Sequence, residues 1–341
     1  MKRLTPVQLT LIGAAGLAIL VLVTPLFVKN NYTLSVLSFV AINTILALGL
    51  NLLMGYAGQV SLGHAAFYGL GAYTSAILTT QHHVSPWLAL LLGILLTSGV
   101  AWLIGIPCLR LRGHYLAMAT LGVGWIVYIV MVHWDTVTLG TSGIDGIPKL
   151  TLGSLTIDTD VRRFYLTWTV AILTLILVTN LVHSRVGRAL RALHSSELAA
   201  ATLGVDVARF KVQVFVLSAG LAAFAGSLYA HTVHFISPSC FGFNLSVELV
   251  VMVVVGGMAS VWGAIFGAGF ITALVEWLRS LGEAVHLFKE FDVIAHGAIL
   301  VLAMIFVPAG ITCGTVDLFR KLLRRRTRPV VDKEADHDAV A

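Results

Sequence analysis

Residues 50–78 read LNLLMGYAGQVSLGHAAFYGLGAYTSAIL, an apolar run of membrane-spanning length interrupted by glycines and a few polar side chains. Gly55, Gly58, Gly63, Gly69 and Gly71 let backbones approach and let a helix open, while Asn51, Gln59, Ser61 and His64 set hydrogen-bonding groups beside the opening. Such groups are tolerated at membrane depth only where protein or a water-filled cavity surrounds them. Two readings stand side by side: a broken transmembrane segment on a pathway through the bilayer, or tight helix packing with the polar groups satisfied between helices.

Working outward, the chain has 341 residues, of which 58% are hydrophobic and 11% charged. No soluble core hides so many apolar segments, so the composition gives a polytopic membrane protein. Its runs extend to about twenty continuous apolar residues, too long for the alternating ten-residue strands of a barrel, and the fold class is all-α. Cys108, Cys240 and Cys313 are scattered and supply neither a disulfide framework nor metal-ligand spacing. The net charge of +6 is no nucleic-acid signature, because most basic residues fall in segments that can share one side of a membrane.

The first apolar run, from about Leu9 to Val28, exceeds a secretory h-region and reads as an uncleaved span. Further spans are expected at Thr33 to Met54, Gln59 to Thr79, Trp87 to Leu109, Tyr115 to His133, Phe164 to His183 and Val212 to Thr232. Arg110 and Arg112, the segment carrying Arg185, Arg188, Arg191, Arg209 and Lys211, and the tail from Arg320 to Arg328 are expected on the cytoplasmic side, with both termini. Trp134 to Arg163 and Val233 to Leu245 then face outward, although Arg162 and Arg163 oppose this and Asp158 and Asp160 offset them. Parity requires Leu245 to Ser280 to be two elements broken at Gly256-Gly257, giving about ten membrane elements. QVSLGHAAFYGLG at 59–71 and MASVWGAIFGAG at 258–269 echo each other weakly, as an internal repeat or as chance likeness among small residues. Residues 1–326 form the permeating domain, and 327–341 lack an apolar period and are expected to be disordered.

Catalytic and nucleotide-binding signals are missing. The dipeptide Gly-Lys occurs nowhere, so any ATP must be bound by another subunit, and neither H-E-x-x-H nor G-x-S-x-G is found. No cofactor or metal is expected. Glu248 and Glu276 are the notable intramembrane carboxylates, each open to a functional role or to a solvated or paired structural one.

The most informative polar stretch is 185–211, RVGRALRALHSSELAAATLGVDVARFK. Arg185, Arg188 and Arg191 form one basic stripe, read most simply as contacts to anionic head groups. Ser195 or Ser196 can cap a short helix from Glu197 to Leu203, Gly204 can end it in the left-handed conformation, and Asp206 can cap the next. A short rigid helix between two spans suits a groove on a soluble partner; the alternative is an ordinary loop.

At this point LNLLMGYAGQVSLGHAAFYGLGAYTSAIL, LRLRGHYLAMATLG, RVGRALRALHSSELAAATLGVDVARFKVQVFVLSAGLAAFAGSLYAH and FISPSCFGFNLSVELVVMVVVGGMASVWGAIFGA together resemble the permeases of branched-chain amino-acid ABC importers, of the LivM type, from about Ala47 to Gly310. The resemblance implies a second, LivH-type permease, two ATPase subunits, a periplasmic substrate-binding protein and a bacterial inner-membrane location. It implies that residues 184–211 are the coupling loop, with Glu197, Ala199, Ala200 and Gly204 in the E-A-A-x-x-x-G pattern, Leu198 standing at the acidic position. On the reading of the residues themselves, Gly58, Gln59, Ser61, Gly63, His64 and Glu248 are candidates for the translocation pathway or for helix packing. Where relatives commonly read G-E-I-V-R, this chain has Gly124, Trp125, Ile126, Val127 and Tyr128. The same family includes importers of urea, amides and other amino acids. A self-sufficient carrier using Glu248 or His64 as an ion site is the competing class.

Overall fold

The computed structural model describes residues 6–28, 30–152 and 155–284, with Gly297. The basic tail and the polar segment 327–341 lie outside the described residues. Among the described residues the regular structure is helical apart from four two-residue strands. Its helices are α1 (Pro6–Phe27), α2 (Asn31–Asn51), α3 (His64–Thr80), α4 (Pro86–Cys108), α5 (His114–His133), α6 (Asp135–Thr138), α7 (Asp160–His183), α8 (Arg185–Ser195), α9 (Glu197–Thr202), α10 (Val207–Val233), α11 (Phe243–Gly256) and α12 (Val261–Ala284). Among the described residues, seven helical stretches are long and apolar enough to cross a membrane. Against the expected ten or so elements, α1 contributes only the shorter apolar stretch Ile12–Phe27, and α3 has 17 residues.

The differences from the expected boundaries have local causes. α2 continues through a π-helical turn, Leu52–Tyr56, and the chain then reverses at Gly58, whose φ is +69°. Residues 59–63 are not helical, so the span expected from Gln59 begins instead at His64. α7 starts at Asp160 because the Thr159 hydroxyl accepts from the Arg162 backbone N–H, and α10 at Val207 because Asp206 accepts from that of Arg209. The stretch 245–280 is two helices, as charge parity requires, with a turn at 257–260 between α11 and α12.

α10 lies at the centre, against α2, α3 and α4. Its run SAGLAAFAGSLYA presents a face of small residues, and backbones come into contact there. A side chain at Gly71 would strike the backbone of Ala223, and one at Gly226 the carbonyl of Tyr68. Hydroxyls of α10 then bond across: Ser218 Oγ donates to Gly49 O at 2.6 Å and Ser227 Oγ to Gly71 O at 3.1 Å.

At one end of the bundle β1 (Ile144–Asp145) pairs antiparallel with β4 (Phe235–Ile236), while β2 (Thr151–Leu152) and β3 (Leu155–Thr156) form a hairpin. The pairing joins the two segments expected to share one face. His234 Nδ1 and His231 Nδ1 bond the carbonyls of Ile147 and Pro148 at 3.0 and 2.7 Å. Burial pushes the His234 imidazole below its ordinary value, the bond to Ile147 opposing and Arg163 and Lys149 reinforcing. Of the two arginines that counted against this side, Arg163 pairs with Asp160 at 3.3 Å; Asp158 pairs with Lys149 at 2.5 Å. At the other, basic end lie Arg110, Arg112 and the α8–α9 segment.

The two glycine-broken regions meet. Asn51, buried at the end of α2, donates through Nδ2 to Ser260 O at 2.7 Å and accepts through Oδ1 from Ala259 N at 3.0 Å. Gly55 makes room, since a side chain there would strike Asn51 Oδ1 and Ala259 N. Replacing Asn51 by Leu orphans a backbone donor and an acceptor together, at roughly 1–3 kcal/mol for each. Asn51→Leu is therefore expected to lower the melting temperature of the detergent-extracted protein by more than Asn43→Val, which removes only a side-chain bond to Thr272. Equal shifts would show that the turn at 257–260 does not depend on Asn51.

Candidate functional site

Leu62 of the non-helical stretch 59–63 and Ala65 and Ala66 at the start of α3 line one side of a cavity of about 290 Å³, which Leu121, Gly124, Trp125 and Tyr128 of α5 and Asn244 and Ser246 of α11 line as well. Two of the N–H groups here are satisfied from neighbouring helices: Thr120 Oγ1 accepts from Leu62 N and Ser246 Oγ from Ala65 N, each at 3.1 Å. The side chains of Gln59, Ser61 and His64 are buried and have no hydrogen-bond partner among the described residues. Buried polar groups are ordinarily paired with protein or water, so these three are exceptions, and they lie behind the cavity lining rather than on it.

Gly63 fixes how closely the wall approaches α5. A side chain on it would strike the carbonyl oxygen of Thr120, and one on Gly124 would lie 3.2 Å from Gly63 Cα. The other end of the break reaches α8, where a Cβ on Gly58 would lie 2.7 Å from His194 Nδ1. Glu248, on α11 one turn beyond Asn244, is half-buried and close enough to Tyr68 to interact electrostatically. Glu276 bonds the Tyr32 hydroxyl and sits 3.9 Å from Arg279, a paired structural position.

The second candidate site is the short helix α9. Ser196 is its N-cap, accepting from Ala199 N at 3.3 Å. It ends in a Schellman pattern: Val205 N donates to Ala200 O and Gly204 N to Ala201 O, each at 3.0 Å, with Gly204 at φ +82°. Glu197 is held by two cations, Lys211 and, at 3.3 Å, Arg112, which ties α9 to the start of α10 and to the α4–α5 connection. The Lys211 side chain is 7% exposed and Glu197 29%, so this is a partly buried pair that fixes the helix rather than a loose surface contact.

The arrangement assigns faces within α9. Ala200 is buried, 1% exposed, and points into the protein; Ala199 and Gly204 are exposed. Leu198 and Leu203, at 78% and 81% exposure, are the apolar groups turned outward. The stripe of Arg185, Arg188 and Arg191 lies along the exposed side of α8, whose Gly187, Leu190 and Leu193 are buried. Sequence reasoning missed Thr120, Asn244 and Ser246 on the cavity and Lys211 on Glu197. Only contacts distant in sequence reveal them. Among the described residues no cluster of side chains fits a metal ion.

A sequence profile described as branched-chain amino acid transport system / permease component matches residues 32–307. The chain is 33% identical over 308 residues to the high-affinity branched-chain amino acid transport system permease protein LivM of Salmonella typhimurium, covering 84% of this chain and 71% of that one. It is 26% identical over 283 residues to the corresponding LivH of the same organism, covering 78% and 90%. To the xylose/arabinose import permease protein XylH of Sulfolobus acidocaldarius it is 28% identical over 301 residues, covering 82% and 78%. No solved structure matches.

The Gly63 contact yields a direct test. Gly63→Leu has to push α5 away from a backbone carbonyl, a strain of roughly 1–3 kcal/mol or more, and is expected to lose most monodisperse protein on size-exclusion chromatography in detergent. His64→Ala, which removes a ring with no bonding partner, is expected to stay near wild type. A normal profile for Gly63→Leu would show that α3 and α5 are free to separate.

Proposed function

The chain belongs to the permease components of branched-chain amino acid ABC transport systems, and we propose that it works as one half of a heteromeric pathway, paired with a LivH-type permease. In this reading a periplasmic binding protein delivers leucine, isoleucine or valine, and two ATPase subunits drive passage from the basic end. That end and both termini are cytoplasmic in a bacterial inner membrane, with residues 184–211 as the coupling loop and 1–326 as the permeating domain. Two glycine breaks with similar patterns, joined at Asn51, support reading the chain as an internal repeat with its site at the interface.

The observation that carries the proposal is α9. Six residues capped at both ends, braced by Glu197 to Arg112 and Lys211, present Leu198 and Leu203 to the outside of the basic end. A helix that short gains little stability from its own hydrogen bonds, and its outward leucines have nothing to pack on within the described chain. A groove on a soluble subunit supplies what is missing. The bracing gives such a subunit a rigid handle on both α10 and the α4–α5 connection, which bound the membrane helices that move.

On the pathway side, α5 packs little of its surface within the chain: Trp125, Ile126 and Ile129 are exposed, and Trp125 and Tyr128 meet edge to face at 5.8 Å beside the cavity. Trp125 and Tyr128 are the two positions at which the sequence departs from its relatives' G-E-I-V-R. A path lined by aromatic and hydroxyl groups, with few charges, passes a zwitterion with an apolar side chain and leaves recognition to the binding protein.

Reconstituted alone the protein is expected to be inert. With its partners and ATP it is expected to take up leucine, isoleucine or valine, and calorimetry on the cognate binding protein tests the substrate directly. Tight urea binding with no response to leucine would refute the assignment, and transport by the isolated chain would refute the class.

Coupling has its own test. Leu198→Asp with Leu203→Asp, and separately Gly204→Val, which forces a β-branched residue to positive φ, are expected to stay membrane-inserted with the partner permease. Both should abolish transport and either release the ATPases or leave hydrolysis insensitive to the loaded binding protein. Full recruitment and substrate-stimulated hydrolysis in both would make α9 a plain connection.

A further inference from the structure

A groove of about 1110 Å³ runs between α4 and α10, away from the cavity beside α5 and reaching the bracing residues of α9 at one end. Its walls are apolar, with Ile94, Trp102 and Ile106 on α4 facing Val216, Leu217 and Phe224 on α10. Gly220 deepens it, since a side chain there would lie 3.1 Å from Ser98 Oγ. The outer face of α4 beside it is exposed and apolar at Leu91, Leu95, Trp102 and Leu103, so the groove opens toward hydrocarbon. From Leu109 to Ile94 it follows α4 for about 22 Å at the rise of an α-helix. That is about one and a half times the depth of one leaflet, half of a hydrocarbon core of about 30 Å, so the groove covers a full leaflet and extends into its headgroup region.

The mouth differs in kind. Arg110, Arg112, Arg209 and Lys211 line it with a single carboxylate, Glu197. Lys211 and Arg112 are engaged with Glu197, whereas Arg110 and Arg209 are exposed and make no ion pair among the described residues. A transmembrane substrate path would carry polar groups along its length, whereas between the mouth and Ile94 these walls carry only Ser98 and Gln213. A neutral apolar helix would leave the surplus cations unanswered. The ligand that fits is apolar over the depth of one leaflet and negatively charged at the basic end.

We infer that the α4–α10 groove is a binding site for an anionic phospholipid of the leaflet at the basic end, its acyl chain along Ile94–Ile106 and its phosphate between Arg110 and Arg209. Arg112 belongs to this mouth and also braces Glu197 of α9, so the bound headgroup and the short helix share one cation. The site is distinct from the exposed stripe on α8, which has a basic face and no groove. Its existence does not depend on the transport reading.

The test uses the full-length chain in detergent, with native mass spectrometry against phosphatidylglycerol and phosphatidylcholine of identical acyl chains. Wild type is expected to prefer phosphatidylglycerol, and the Arg110→Gln/Arg209→Gln double variant to lose that preference at roughly fivefold per arginine. Arg185→Gln/Arg188→Gln, on the α8 stripe, is expected to keep it. Ser98→Trp, which fills the groove, is expected to weaken both lipids. Millimolar inorganic phosphate should leave the lipid bound; displacement by it would mean a free-anion site and overturn the inference. A photoreactive phenylalanine at Leu217 in native membranes should give a phospholipid mass adduct. A polypeptide adduct, or equal binding of both lipids by wild type, would overturn the inference as well.

Discussion

A backbone that stops being helical at membrane depth must find partners for its freed amide and carbonyl groups inside the protein, because hydrocarbon offers none. Asn51 answers that constraint at the meeting of the two breaks, its amide acting as donor and acceptor toward the turn at 259–260. Nearby, hydroxyls of Thr120 and Ser246 take up the N–H groups of Leu62 and Ala65. Three short polar side chains from three different helices thus permit a non-helical wall, and without that wall there is no cavity. The glycines of the stretch bring the elements together backbone to backbone, which is the tight packing its composition suggests.

The same geometry connects the wall to the basic end. Gly58 lies against His194 of α8, α8 leads directly into α9, and Glu197 of α9 is bridged to α10 and the α4–α5 connection. α5 runs from that connection back to the cavity, where it crosses residue 63 backbone to backbone. Displacing α9 therefore has two rigid routes to the cavity walls, one through α8 and the break and one through Arg112 and α5. Close-packed contacts of this kind transmit a shift rather than absorb it.

Much of this was legible in the sequence because membranes simplify the code. Apolar length gives the spans, arginine distribution gives the shared side of their connections, and charge parity alone divides 245–280 into two helices. Capping chemistry was equally readable at Ser196, Gly204 and Asp206, where local residue type dictates local conformation. Faces were not. Ala199 and Ala200 look alike in sequence, and only tertiary packing buries one and exposes the other. Helix starts were misplaced by about one turn at α3, α7 and α10, since hydropathy marks where a helix enters hydrocarbon and not where its first hydrogen bond forms.

The displaced acid of the coupling pattern has a physical reading once its partners are known. In E-A-A-x-x-x-G the acid stands immediately before the alanines, whereas here Leu198 holds that place and Glu197 precedes it. One residue is about 100° on a helix, enough to move a side chain from the outward face to the flank. On the flank Glu197 meets Lys211 and Arg112, and the outward position is left to a leucine. The carboxylate therefore braces the helix from within, and the surface offered to a partner becomes apolar. In the coupling role proposed for α9, a subunit that docks here presents a hydrophobic pocket where an acidic helix would call for a basic one, so recognition at this joint rests on shape and burial more than on charge.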